Sequence, residues 1–419
     1  MLTACQHKAL ARLLTLDAGQ EALLLGAAGT GKTYLLGELA EVLYSQGHDI
    51  VALAPTHRAV DVLRSKLPEH VFCYTIHSGL GLSMEQGEGV LNAQAGGRSK
   101  LQHASYVLID EASMIDEVLL DHIRRQTYDK AVLYVGDPAQ LPPIDAAVSP
   151  VFLGVDNRLY LSTITRQAAG DPIITLGGEI RLALEAGVRY DTQALRDVFP
   201  SVSPEQACEA VANDDSGIII AWRNSKVDYY NLLGRRFRGD THLDCPVEPG
   251  HIFVANEACQ AGGLANNEPF YVIAADPISH PRGTAWRVTF ERNNGSKGTA
   301  VVLRSRTAYQ SYKSAFWGQY KRFKKQVLAA GHSLARDTPY GKRLADARNA
   351  FWAEHSELLW PAANFSSTIH KSQGGTYAQV YLDLNDIDSM PRTSEHGRAL
   401  YVALTRSRGP VFIIQGPVT

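Results

Sequence analysis

The residues Gly26-Ala27-Ala28-Gly29-Thr30-Gly31-Lys32-Thr33 satisfy G-x-x-x-x-G-K-[ST] without deviation. Glycines let a backbone wrap round phosphates, and N–H groups at a helix start point inward at them. In such a loop Lys32 reaches the β- and γ-phosphates and the Thr33 hydroxyl ligates Mg²⁺. Asp110-Glu111 follows the apolar run Tyr106-Val107-Leu108-Ile109. A strand-end Asp can hold the Mg²⁺ shell, and Glu111 beside it can polarise an attacking water as general base. That order points to transfer to water rather than to a small-molecule hydroxyl. Gln140 lies in Gly136-Asp137-Pro138-Ala139-Gln140-Leu141-Pro142-Pro143, where it can sense the γ-phosphate and the water. Arg406, in Thr405-Arg406-Ser407-Arg408, reads as an arginine finger or as a surface charge favoured at a helix end. Spacing alone leaves both readings open.

Parallel strands must hold these groups on one rim. Ala22–Leu25, Ile50–Ala54, Tyr106–Ile109 and Ala131–Val135 are continuous apolar runs. A helix from Lys32 to about Leu43 separates the first two. Such strands belong to a parallel sheet covered on both faces, so the fold class is α/β. The polar, glycine-rich stretch from Leu82 to His103 breaks the pattern and reads as a hairpin insert. A second α/β region starts near Leu159, with a strand at Gly217–Trp222 and a helix after Asn224. A β-rich stretch from about His251 to Leu303 resembles a small barrel. A basic helical segment follows. The second α/β region resumes with a strand at Gln379–Leu384, a helix near Gly397–Leu404 and a strand at Val411–Ile414. The expected division is 1–160 for the first domain, with an insert at 82–104. The second comprises 161–242 and 362–419, and the accessory insert is 243–361.

The chain has 419 residues, 45% hydrophobic and 20% charged, which excludes wholesale disorder and permits several domains. No apolar run approaches the ~20 residues of a membrane span. No secretion signal is recognisable, and the five scattered cysteines form no C-x-x-C pair, so a cytoplasmic protein is expected. The net charge of −2 conceals a strong asymmetry. Between Arg304 and Arg348 eleven basic residues face only Asp337 and Asp346, a local charge of +9 that leaves −11 elsewhere. Tyr309, Tyr312, Phe316, Trp317, Tyr320 and Phe323 interleave with these charges. They form either a stacking surface for bases or, as their near-helical spacing favours, an apolar face packed on the barrel.

In order along nearly the whole chain, these motifs resemble those of superfamily 1 helicases, and within them the 5′-to-3′ RecD-like branch (superfamily 1B), which includes helicases of tailed phages. Gln6 resembles the adenine-reading Gln motif. The P-loop and Ala54-Pro55-Thr56-His57-Arg58-Ala59 resemble motifs I and Ia, and Thr75-Ile76-His77-Ser78 resembles motif Ib. Asp110-Glu111-Ala112-Ser113 and Gly136–Gln140 resemble motifs II and III. Leu161 through Arg166-Gln167 resembles motif IV, which supplies a second arginine finger at Arg166. Thr368-Ile369-His370-Lys371-Ser372-Gln373-Gly374 resembles motif V, and Leu400 through Arg406 motif VI.

The resemblance implies two RecA-like motor domains with ATP and Mg²⁺ between them. The nucleotide-binding set is then Gln6, Gly26, Gly29, Thr30, Gly31, Lys32, Thr33, Gln373 and Gly374, with Thr33 and Asp110 on the metal. The catalytic set is Lys32, Glu111, Gln140, Arg166 and Arg406. Single-stranded DNA would cross both domains over Pro55, Thr56, His57, Thr75, His77, Thr368, His370 and Lys371. Strand-end Thr and backbone N–H groups bind phosphates without reading sequence. The insert would be a strand-separating pin. Phage members place an aromatic at its tip, whereas residues 82–103 contain no Phe, Tyr or Trp and leave Met84, Val90 and Leu91. The implied activity is ATP-dependent 5′-to-3′ unwinding of tailed or forked duplex. Replication or single-strand-binding proteins are the partners it would admit, in the host cytoplasm if the gene is a phage's. Two readings compete: a DNA-stimulated ATPase that remodels protein–DNA complexes with little unwinding, and an adaptor with a vestigial ATP site. The intact Lys32, Asp110, Glu111, Gln140, Arg166 and Arg406 oppose the adaptor.

Overall fold

The computed structural model describes residues 2–416 except 86–89, 94–97, 144–145, 167–169, 241–244, 267, 282, 293–294, 305, 335–337 and 392. The expected motif residue Gln167, and the side chains of Met84, Val90, Leu91 and Tyr309, lie outside the described residues. The chain divides into two compact units, Met1–Tyr230 with Phe365–Thr419, and Asn231–Asn364.

In the first unit the apolar runs form β1 (Glu21–Gly26), β2 (Ile50–Ala54), β3 (Phe72–Thr75), β4 (Leu82–Glu85), β5 (Val90–Ala93), β6 (Tyr106–Ile109), β7 (Ala131–Gly136) and β8 (Arg158–Leu161). Six of them make a parallel sheet in the order β3-β2-β6-β7-β1-β8. Side chains of β1 alternate between two cores. Ala22 and Leu24 enter one, Leu23 and Leu25 the other, which is why the strand is apolar throughout. Within the glycine-rich insert β4 and β5 pair antiparallel.

A second sheet begins with β9 (Ser201–Val202) and β10 (Gly217–Ala221). The chain then forms β11 (Ile252–Ala255), β12 (Pro269–His280), β13 (Gly283–Arg292), β14 (Lys297–Leu303) and β15 (Pro361–Ala363) of the other unit. It returns with β16 (Ser366–Thr368), β17 (Gln379–Leu382) and β18 (Val411–Ile414). The second sheet is parallel, in the order β16-β10-β17-β18-β9. Two strands stop short of their expected ends. The backbone N–H groups of Trp222 and Arg223 leave the ladder for Asp386 Oδ2, at 2.7 and 2.8 Å. Asp383 turns from strand to cap and accepts from Asp386 N at 3.0 Å.

Within the unit Asn231–Asn364, β11–β15 form an antiparallel sheet in the order β14-β13-β12-β11-β15. Val301 of β14 exchanges backbone hydrogen bonds with Glu357 and Leu359, just before β15, which draws the two edges of the sheet together. Phe253, Phe270 and Phe290 lie buried on it. The helices Arg306–Ala329 and Pro339–His355 lie between β14 and β15. Tyr312 packs on the sheet core beside Ala285, Val301 and Leu303, and the described aromatics of the two helices also pack on each other. Phe316 stacks on Phe351 with centroids 4.0 Å apart, and Tyr312 on Phe351 at 5.3 Å. Lys321, Arg322, Lys325, Lys342 and Arg343 stay exposed.

Candidate nucleotide-binding active site

Strand register aligns the candidate groups along one rim. Leu25 pairs with Gly136, Ile109 with Tyr134, Leu53 with Ile109 and Ala54 with Thr75. The P-loop, Asp110-Glu111, the Gly136–Gln140 loop, Pro55-Thr56 and Thr75 therefore leave the same C-terminal edge, where ligand sites of parallel sheets form.

The P-loop turns at Gly29 and Gly31, whose φ angles of 83° and 75° suit glycine, and Lys32 opens a helix that ends at Ser45. Lys32 Nζ donates to Gly26 O at 2.7 Å and Ala27 O at 3.0 Å. Burial lowers its pKa, while Asp137, Glu111 and Asp110 oppose that shift. Asp110 accepts from Glu111 N at 2.8 Å. Burial and the Glu111 carboxylate push its pKa up to about 7, against the Thr33 hydroxyl, which favours the ionised form. A buried carboxylate bonded to the P-loop threonine and crowded by a second carboxylate fits a divalent cation. Glu111 has φ 54°, the one non-glycine residue with positive φ among those described. That conformation costs roughly 1–3 kcal/mol and marks a residue held for function.

The other wall comes from the loop after β8 and from loops of the second sheet. A cleft of about 270 Å³ is lined by Gly29, Gly31, Lys32, Thr33, Asp110, Glu111 and Gln140 and equally by Arg166, Gly374 and Arg406. Arg408, Thr376, Lys66 and Tyr34 line it too, though the motif spacing did not point to them. Burial, then the neighbouring Arg406 and Arg408, lower the Arg166 pKa to about 10. Mutual repulsion among three guanidinium groups makes the cleft a site for a polyanion. Arg166 Nη1 donates to Thr405 O at 3.2 Å. Arg406 is buried and donates to Val402 O and Gly375 O at 2.9 and 3.1 Å.

Gln6 is buried behind the loop. Its Nε2 donates to Thr30 O at 3.1 Å and its Oε1 accepts from Thr3 N at 2.8 Å, closing a capping box on the helix Ala4–Leu13. Gln373 does not line the cleft; its Nε2 donates to Gln140 Oε1 and Ser113 Oγ, each at 3.1 Å. Gly26 and Thr30 are structural parts of the loop, with Thr30 Oγ donating to Ala27 O at 2.9 Å.

The expected DNA-contacting threonines share one local design. Thr56, Thr75 and Thr368 follow parallel strands, and each caps the next helix by accepting from Ala59 N (3.2 Å), Ser78 N (3.2 Å) and Lys371 N (3.4 Å). Each cap contributes about 1 kcal/mol and presents a helix start on the rim. Pro55 and Thr56 are half-buried, His57 and His370 exposed, and His77 and Lys371 half-buried. Desolvation lowers the pKa of both His77 and His370, which favours their neutral form.

A P-loop, a strand-end acidic pair and Arg166 from one parallel sheet thus meet Arg406 and Arg408 from a second in one cleft, the arrangement of a two-domain nucleotide-driven motor. Comparison with known proteins agrees. Residues 1–184 match the model of an AAA domain, and residues 365–414 that of the UvrD-like helicase C-terminal domain. An uncharacterised protein of Acanthamoeba polyphaga mimivirus is 24% identical, covering 92% of this chain and 93% of its own. The ATP-dependent DNA helicase dda of Enterobacteria phage T4 is 26% identical, covering 93% of each. A Pif1 helicase from Bacteroides, crystallised with ADP-AlF3 and ssDNA, superposes with a TM-score of 0.57 at 16% identity, covering 100% of this chain and 93% of its own. These matches support a superfamily 1B helicase related to Dda. Among the described residues no helix is long and apolar enough to cross a membrane.

Proposed function

We propose that this protein is an ATP-dependent DNA helicase that moves 5′ to 3′ on single-stranded DNA and separates duplex. Its proposed parts are a first motor domain at 1–160, a second at 161–242 and 362–419, and an accessory insert at 243–361. The observation that carries the proposal is the shared cleft. Lys32, Asp110, Glu111 and Arg166 stand on loops of one sheet and Arg406 on a loop of the other, and hydrolysis therefore depends on how the two sheets meet.

The loop amides and Lys32 cradle the phosphates, so the γ-phosphoryl group faces Glu111 and Gln140. Glu111, fixed by its left-handed backbone, takes the proton of the attacking water. Gln140 orients that water. Arg166 and Arg406 stabilise the charge that spreads over the γ-oxygens. Thr33 and Asp110 would hold Mg²⁺, which neutralises charge on the β- and γ-phosphates when bound. Gly374 completes the nucleotide surroundings, while Gln6 and Gln373 support them from behind through Thr30 and Gln140. Closure on ATP and relaxation after hydrolysis change the spacing between the Thr56/Thr75 helix starts and the Thr368 helix start, which are the proposed grips on DNA. Tailed or forked duplex in the cytoplasm is the proposed substrate.

A second reading, remodelling of protein–DNA complexes with little unwinding, rests on the absence of Phe, Tyr and Trp from residues 82–103. An ATPase assay with and without single-stranded DNA, run beside unwinding of a tailed duplex, tests both. Stimulated hydrolysis with strand separation supports the helicase. Stimulated hydrolysis without separation favours the remodeller, and no hydrolysis overturns both.

A further inference from the structure

Asp137 is a fully buried carboxylate at the end of β7, and its hydrogen-bonding cation comes from the opposite motor domain. Its Oδ1 accepts from Arg181 Nη1 at 2.6 Å, and its Oδ2 accepts from the Tyr401 hydroxyl at 2.7 Å. The same Tyr401 oxygen accepts from the P-loop amide of Ala28 at 2.9 Å and from Arg181 Nη1 at 3.2 Å. Arg181 also lies over the Tyr401 ring, 5.4 Å from its centroid. Close by, Arg398 donates to Pro138 O and to Gln140 O. Arg181 belongs to the helix Pro172–Glu185, and Arg398 and Tyr401 to the helix Thr393–Leu404.

We propose that Tyr401 and Arg181 are positioning residues that tie the P-loop and the Gly136–Gln140 loop to closure of the motor domains, so that the phosphate cradle is set only in the closed state. This inference rests on the proposed ATPase activity. Its physical basis is that parting the domains strips two groups at once. Asp137 loses its arginine and its hydroxyl donor, and the Ala28 amide loses its acceptor. A buried carboxylate left without its cation is costly, so the contact favours closure. Burial and Asp137 raise the Tyr401 pKa, which keeps the hydroxyl proton on the bond to Asp137. Asp137 also faces Lys32 as its strongest attractive charge. The γ-phosphate lysine and the cross-domain arginine therefore share one carboxylate. Tyr401 itself does not line the cleft, so it acts through Ala28 and Asp137 rather than on the nucleotide.

The test is steady-state ATP hydrolysis by the full chain with saturating single-stranded DNA, for wild type, Tyr401→Phe, Arg181→Gln and Arg181→Lys. Tyr401→Phe keeps the ring and loses only the hydroxyl. Misplaced catalytic loops should lower kcat about tenfold or more, with the ATP KM changed less than about threefold. Arg181→Gln should match it, and Arg181→Lys should recover part of the loss by restoring the charge. Wild-type kcat in both Tyr401→Phe and Arg181→Gln would overturn the inference, as would a loss confined to KM. If Tyr401→Phe fails to fold, the Gln and Lys variants decide alone: equal kcat in the two refutes the role of charge. A wild-type protein with no DNA-stimulated hydrolysis would instead refute the functional proposal.

Discussion

Gln373 of the second motor domain donates through Nε2 to Gln140 Oε1 of the first, at 3.1 Å, with both side chains buried. Gln140 faces the nucleotide cleft, whereas Gln373 follows the short helix Ile369–Ser372 that Thr368 caps. One amide–amide bond thus joins the proposed γ-phosphate sensor to a proposed DNA-contacting turn. Gln373→Ala should leave the Gln140 oxygen without this donor and cost about 1–3 kcal/mol of stability. DNA should then stimulate hydrolysis less, while nucleotide affinity without DNA changes little. Titrating DNA into an ATPase assay checks this; unaltered stimulation would show that the bond carries no signal.

The chemistry at the cleft separates binding from turnover. Lys32→Ala should abolish hydrolysis and leave single-strand binding largely intact, because Thr56, Thr75 and Thr368 stand on other loops. Glu111→Gln should bind ATP and fail to turn it over, since the amide cannot take the water's proton. Nucleotide binding followed by fluorescence, beside phosphate release, distinguishes the two. Near-wild-type phosphate release from Lys32→Ala would remove the loop from the mechanism.

Strands covered on both faces must be apolar throughout, so Ile50–Ala54 and Tyr106–Ile109 could be read directly, and with them the ends that carry Thr56 and Asp110. The P-loop is local, eight residues whose backbone does the binding. What stayed hidden is long-range. Ala28 and Tyr401 are 373 residues apart, and Asp137 and Arg181 44 apart, yet their contacts define how the loops are held. No periodicity encodes such a pairing. The left-handed Glu111 was also illegible, because strain at a non-glycine residue is imposed by tertiary context and leaves no mark on residue type. The aromatics of the helix Arg306–Ala329 revealed a packed face by their spacing, but not that a second helix would cover it.

Neutral imidazoles and a charged lysine should fail differently on the proposed DNA track. Desolvation lowers the His370 pKa, so it offers a π-face or a neutral hydrogen bond, whereas Lys371 brings a cation. His370→Ala should weaken single-strand binding without altering its dependence on salt. Lys371→Ala should reduce the slope of log K against log salt by about 0.7, the value for one phosphate contact on a single strand. Affinities measured at several salt concentrations check both. Equal slope changes would mean that His370 binds as a cation.

The exposed lysines and arginines of the helical pair pose the same question for the accessory unit. Packing Phe316 on Phe351 removes those rings from use as a base-stacking platform, but Lys321, Arg322 and Lys325 remain exposed. Exchanging Lys321, Arg322, Lys324 and Lys325 together for Gln should flatten the salt dependence by about 0.7 for each side chain that meets a phosphate. An unchanged slope would leave the segment a brace whose charges only solvate it.

Polarity is the expectation furthest from the chemistry. Nothing in the P-loop encodes direction; it depends on which motor domain grips the strand more tightly in each nucleotide state. The argument rests on architecture. The first motor domain carries only the antiparallel pair β4–β5 between β3 and β6, too short for a helical subdomain. The second places its antiparallel sheet and helical pair between the helix Asn224–Arg238 and β16. That arrangement resembles the RecD-like branch, whereas helicases of opposite polarity carry longer helical insertions in both domains. The protein should therefore load on a 5′ single-stranded tail. With ATP and Mg²⁺ it should open a 5′-tailed duplex and leave a matched 3′-tailed duplex closed. Preferential opening of the 3′-tailed duplex would refute the direction while leaving the cleft and its hydrolytic chemistry in place.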